Sequence, residues 1–247
     1  MGDVTPQGIL ANLEKAFGAW KNIAPVPKSD LPAAPQHGPR QIYLIDKPGA
    51  PQSQIRIGWI GVARNTPDYF ALDILNTILG GTFTSRLNQN LREQHGYAYG
   101  ANSSFDMRLT PGPFSAFAGV QTDKTVESLK EFFKELDGMR QPVPADELSR
   151  EKNLRALRFP GTFETTSSTA GHLVELVVYG LPETFFTDYV SKIQAVTAAD
   201  LQRVAQQYLQ TNRFAVVVVG DLSKIEKPIR DANIAPVKIV PMDEVIK

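Results

Sequence analysis

The stretch LGGTFTSRLNQNLREQHGYAYG, Leu79–Gly100, changes period along its length and sets an arginine and two tyrosines where the change occurs. Gly80 and Gly81 stop a preceding helix, Thr84 or Ser85 is placed to cap the next, and Gly96 ends that one by accepting a left-handed backbone. Leu87 and Leu91, four apart, mark the buried side of this short helix. Arg92 falls in its last turn, where positive charge suits the negative end of the helix dipole. From Tyr97 the period is two, so Tyr97, Tyr99, Ala101, Ser103 and Phe105 are expected on one face of a strand. A side chain at Arg92 and one at Tyr99 can then reach a common cleft.

Outward from this block, two strand-like runs, Gln41–Asp46 and Gln54–Ala63, flank a Lys47-Pro48-Gly49 turn, and a helix is predicted over Asp68–Leu79. Tyr97–Met107 and Phe114–Gln121 read as a hairpin around Pro111-Gly112-Pro113. Helices follow at Lys124–Leu136, Ala145–Arg158, Thr165–Val178, Glu183–Gln194 and Ala198–Leu209, the last opened by a capping box of Thr197 with Asp200. Phe214–Val219 is uniformly apolar and is expected to be central in the sheet. The grouping predicts an α+β fold, a two-layer sandwich of a mainly antiparallel sheet with helices on one face.

The chain of 247 residues, 42% hydrophobic, can bury a sizeable core as one domain with appendages. Its formal charge is zero, with no basic stripe to call for nucleic acid or an anionic membrane. The absence of cysteine removes disulfides, thiolate metal sites and cysteine nucleophiles. No apolar run approaches the ~20 residues of a bilayer span. Gly80-Gly81 is a tight turn rather than a phosphate cradle, because no strand-borne G-x-G-x-x-G or P-loop lysine accompanies it.

The chain resembles the C-terminal halves of the pitrilysin/insulinase-type zinc peptidases, in the branch that includes mitochondrial processing peptidase and its bacterial relatives. The likeness runs from Gly2 to about Asp221, through GDVTP, AFGAW, the NTILGGTFTSRLNQNLRE block and the closing FAVVVVGD. It implies a metallohydrolase-like domain without metal. It also implies this division: residues 1–22, a terminal helix (6–20, with Ile9, Leu10, Leu13 and Phe17 on one stripe) left over from the preceding zinc-carrying domain; 23–40, a proline-rich linker; 41–221, the metal-free domain; and 222–247, a C-terminal tail. Gly2-Asp3 directly after Met1 reads as a truncated start.

Zinc hydrolysis in such peptidases uses H-x-x-E-H on a helix plus a distal Glu, which together leave one metal position open to water. This chain lacks the motif. His37, His95 and His172 are scattered, His172-Leu173-Val174-Glu175 is followed by Leu176 where a second imidazole would stand, and Ala71–Leu75 on the corresponding first helix carries no metal pair. His172 and Glu175 therefore read as an ordinary surface pair, and the chain alone is not expected to hydrolyse peptides.

The resemblance implies instead that this half closes over an unfolded peptide and lends an arginine and a tyrosine to the cleft of a half that holds the zinc. That partner is either the N-terminal half of the same polypeptide or a separate catalytic subunit. Alternation alone leaves Tyr97 and Tyr99 equivalent; the seven-residue spacing from Arg92 selects Tyr99 as the auxiliary catalytic partner, with Tyr97 and Phe83 lining the cleft. Arg86 is read as a bridge to a carboxylate inside the fold. The other class left open is a scaffold subunit of the same family that has lost catalysis. The residues leave the compartment open, and the resemblance favours a bacterial periplasm or cell envelope over cytoplasm.

Overall fold

The computed structural model describes residues 2–21 and 38–245. The linker expected over 23–40 lies almost entirely outside them, as does His37. Among the described residues, six strands form one sheet in the order β3-β4-β2-β5-β1-β6. They are β1 (Gln41–Asp46), β2 (Gln52–Ile60), β3 (Ala98–Phe105), β4 (Pro113–Gln121), β5 (Ala215–Gly220) and β6 (Val237–Ile239). The β3–β4, β4–β2 and β2–β5 pairs are antiparallel, whereas β1 runs parallel to both β5 and β6. The sheet is therefore mixed, with antiparallel pairs in the majority.

Alternation along the strands sends Ile42 and Leu44 of β1, Ile55 and Ile57 of β2, Phe114, Ala116, Ala118 and Val120 of β4, and Val216 and Val218 of β5 into the core. The covering helices are amphipathic at helical spacing. They include α2 (Tyr69–Asn76), α4 (Thr125–Gly138), α5 (Ala145–Arg158), α7 (Tyr189–Ala195) and α8 (Ala198–Tyr208). Leu72 and Leu75 of α2, Leu129, Phe132 and Leu136 of α4, and Leu201 and Val204 of α8 are fully buried. On the opposite face Tyr43, Phe117, Val217 and Val219 are only half-buried, and Arg56 lies over the Phe117 ring. β5 is interior in strand order, as its composition predicts, yet only alternate valines are enclosed.

Three elements differ from the sequence reading. α7 begins at Tyr189, not Glu183, because Thr184–Asp188 close turns through Phe185–Pro182 and Asp188–Thr184 backbone bonds. The expected C-terminal tail is instead α9 (Leu222–Asp231), β6 and α10 (Met242–Val245). Ile225 and Ile229 of α9 are buried, and β6 hydrogen-bonds to the edge of β1. A strand of three residues with one half-buried side chain leaves almost no periodic signal. The N-terminal helix α1 (Pro6–Phe17) stops short of residue 20, and none of its residues is buried. Its stripe of Ile9, Leu10, Leu13 and Phe17 faces solvent, with Trp20 just beyond it 73% exposed.

α2 continues into a wide π turn, Thr77–Gly81, that delivers the chain against β3. A Cβ on Gly80 would lie 2.4 Å from the Ser103 nitrogen, so only glycine permits this approach of helix end to strand. On α2, the Asp73 carboxylate accepts from Arg155 Nε (3.0 Å) and Nη2 (2.6 Å) and from the Tyr189 hydroxyl (2.7 Å), tying α2 to α5 and α7. Burial, with Asp73 beside it, pushes the Tyr189 phenol above its ordinary value, and burial does the same to Tyr69, raised to about 12.

Replacing Arg155 with Met would leave the Asp73 carboxylate without its charged donors. We expect a loss of about 1.5–3 kcal/mol, read as a lower urea midpoint at unchanged slope. A midpoint equal to wild type would show that the pair does not hold these helices together.

Candidate functional site

The central block folds as a short α3 (Arg86–Asn88) running into a second π turn, Gln89–Gln94, ended by Gly96 at φ 64°. Ser85 has the extended backbone of an N-cap, but its side chain makes no capping bond. Leu87 and Leu91 are fully buried, as their spacing predicts. Polar side chains fix the segment on its other sides. Arg86 donates to both oxygens of Glu147 on α5 (2.8 and 2.5 Å), and Asn90 Nδ2 donates to Glu131 and Glu135 on α4, each at 2.7 Å. The hydrogen bond to Glu147 raises the Arg86 guanidinium pKa above its ordinary value. Arg86 is thus a structural bridge.

Arg92 is left facing outward, between two aromatic rings. Its guanidinium carbon is 4.5 Å from the Phe83 centroid and 5.1 Å from that of Tyr99, and Nε lies 3.3 Å from Glu93. Cation–π contact of this kind holds a guanidinium in a fixed plane without consuming its N–H donors. Phe83 is 59% and Tyr99 87% exposed, and among the described residues the Tyr99 hydroxyl has no hydrogen-bond partner. The structure therefore brings Arg92, Tyr99 and Phe83 together at the surface, with the Arg92 Nε beside Glu93.

The route by which it does so corrects the expected strand pattern. Ala98 pairs with Val120, but Ala101 pairs with Ala118, so β3 carries one more residue than β4 across this interval. That bulge reverses the alternation. Ala101 and Ser103 enter the core, while Tyr99 turns out toward Arg92 instead of sharing their face. Tyr97, expected to line the cleft, stacks on the His95 ring at 4.8 Å and is packed partly against the core. It is not among the rings against Arg92.

No described group of three or more His, Asp or Glu residues could hold a metal ion. The donor chemistry gives the reason on two helices. On α2 the single carboxylate, Asp73, is saturated by Arg155 and Tyr189, and its neighbours Ala71, Leu72, Ile74 and Leu75 are buried and apolar. On α6 (Thr166–Tyr179) the Glu175 Oε1 accepts from Arg64 Nε (2.8 Å) and Nη2 (2.7 Å), while His172 Nδ1 is 3.6 Å from Oε2. His172 is also wedged between Phe163 and Phe186, so the pair is a partly enclosed packing element, not a surface one. Zinc does not fit either place.

The pattern of the peptidase M16 inactive domain matches residues 1–155. An uncharacterized zinc protease of Streptomyces coelicolor is 28% identical over 232 residues, covering 90% of this chain and 49% of that protein. The chain spans about half the length of the curated relatives it matches most fully. Among solved structures, a peptidase M16 inactive domain from Pseudomonas fluorescens superposes with a TM-score of 0.78 at 24% identity, covering 89% of this chain and 52% of that one. A protease from Helicobacter pylori does so with 0.79 at 24%, covering 88% and 53%. Both likenesses are of fold.

Gly96 tests the local geometry that sets Arg92. A Cβ there meets nothing within 4 Å, so Gly96→Ala probes only the left-handed backbone. We expect about 1–2 kcal/mol of destabilisation in urea unfolding. No measurable loss would mean that the helix end does not need this conformation.

Proposed function

The chain belongs to the peptidase M16 inactive-domain family, and we propose that it acts as the metal-free half of a zinc endopeptidase, completing a peptide-binding cleft whose zinc lies on another half. The observation that carries this reading is Arg92 held against the rings of Phe83 and Tyr99, its Nε beside Glu93, with both rings exposed. A stack of this kind, exposed on one domain, is a half-site. Two further observations support it. The matched relatives are about twice as long as this chain, which leaves room for a second half of equal size. The apolar stripe of α1 has no covering element among the described residues, and large exposed stripes mark surfaces that another body covers.

In the closed enzyme, the Tyr99 hydroxyl donates to the oxyanion that develops on the scissile carbonyl. The guanidinium of Arg92, its plane fixed by the rings, donates to substrate carbonyls or a carboxylate and holds the peptide in register. Phe83 forms an apolar wall beside them. Zinc held by the partner half would supply the nucleophilic water. The substrate is an extended, unfolded peptide, and the same geometry serves whether the partner half is covalently joined or a separate subunit.

In the complete enzyme, Tyr99→Phe and Arg92→Ala should each lower turnover by about 10²–10³-fold while bound zinc, measured by metal analysis, stays at wild-type stoichiometry. Wild-type turnover in both variants would exclude the catalytic role and leave the scaffold reading.

A further inference from the structure

We propose that Asn88 is a positioning residue for the Arg92–Tyr99 pair, holding both walls of the guanidinium slot through one side-chain amide; as a catalytic statement this rests on the function proposed above, but its structural part does not. Asn88 lies in α3, 5% exposed, between the fully buried Leu87 and the segment that carries Arg92. Its Nδ2 donates to the Phe83 carbonyl at 2.7 Å. Its Oδ1 accepts from the Ala101 amide at 3.2 Å. Phe83 supplies one ring against Arg92. Ala101 is the residue at which β3 regains its register after the bulge that turns Tyr99, the other ring, outward.

The chemistry of the bridge is specific to an amide. The Phe83 carbonyl requires a donor and the Ala101 N–H requires an acceptor, 18 residues apart and flanking Arg92 in sequence. A carboxylate can satisfy only the second and would set an anion against the first. An alanine satisfies neither, and it leaves the buried Ala101 N–H and the part-buried Phe83 carbonyl without this partner. The two contacts act on the loop before α3 and on the bulged start of β3. With the amide present, the spacing of the two rings is set. Without it, each ring can drift independently, and displacements of ~1 Å at reacting groups cost about 10²-fold in rate.

The test uses the full 247-residue chain for spectroscopy and the complete enzyme for kinetics. In the wild-type chain the Arg92 side-chain Nε–H resonance should be shifted upfield by the two ring currents. In Asn88→Ala, folded by the dispersion of its other amides, that shift should be lost. In the isosteric Asn88→Asp, which keeps the Ala101 contact, it should be roughly halved, since one of the two walls is retained. In turnover, Asn88→Ala should lower kcat by about 10²-fold with KM little changed. Adding Tyr99→Phe should cost no more than about twofold beyond that, since residues acting through one another are not additive.

A folded Asn88→Ala that keeps the upfield shift, or multiplying effects of Asn88→Ala and Tyr99→Phe, overturns the proposal. If Asn88→Ala does not fold, Asn88→Asp decides alone, and retention of the full shift overturns it. Loss of the shift in Asn88→Ala alongside wild-type turnover in Arg92→Ala and Tyr99→Phe leaves Asn88 as the holder of the slot and removes the catalytic reading instead.

Discussion

The extra residue between Ala98 and Ala101 on β3 is the constraint on which the exposed site depends. A strand with strict alternation would send Tyr99 into the core alongside Ala101 and Ser103, leaving Arg92 one ring short. With the bulge, the strand still seals the sheet edge through Ser103 and the close-packed Gly80, while its first turn points the other way. Core packing and surface chemistry are separated by one residue of register. Bulges at sheet edges re-aim side chains in this way, disrupting the ladder only locally.

The same division of labour runs through the charges. Those that could have built a metal centre are spent on holding the fold together: Asp73 on Arg155 and Tyr189 and Glu147 on Arg86 between helices, and Glu175 on Arg64 of the turn before α2. Each carboxylate accepts from an arginine in a partly buried place, where a free carboxylate would be costly and a bidentate guanidinium satisfies both its charge and its lone pairs. Arg92 differs from these arginines. It is paired only with its sequence neighbour Glu93 and held chiefly by rings, so its donors stay available.

Much of this was legible in the residues. The apolar spacing of Leu87 and Leu91, the Thr197–Asp200 capping box, the strand Gln41–Asp46 and the helix Ala145–Arg158 are where the sequence places them, because each depends on local periodicity or local hydrogen bonding. The approach of Arg92 to Tyr99 was also foreseen, though by alternation that the bulge breaks. What stayed hidden depends on partners distant in the chain. Nothing near Asn88 or Asn90 announces their bonds to Ala101 and Glu131, and the parallel pairing of β6 with β1 is made by three residues more than 190 positions on. Tyr97 is the exception, since its ring stacks on the nearby His95, a local contact that alternation alone does not anticipate.

The central claim is that the exposed Arg92–Tyr99 pair meets substrate at the reacting carbonyl. The most direct measurement titrates the complete enzyme with a zinc-binding phosphonate peptide, which mimics the tetrahedral intermediate, while following selectively labelled Tyr99 and Arg92 side-chain resonances. The account predicts that both shift with the same saturation curve and that the Tyr99 hydroxyl proton becomes protected from exchange. Resonances that stay in place while the phosphonate occupies the zinc would contradict it.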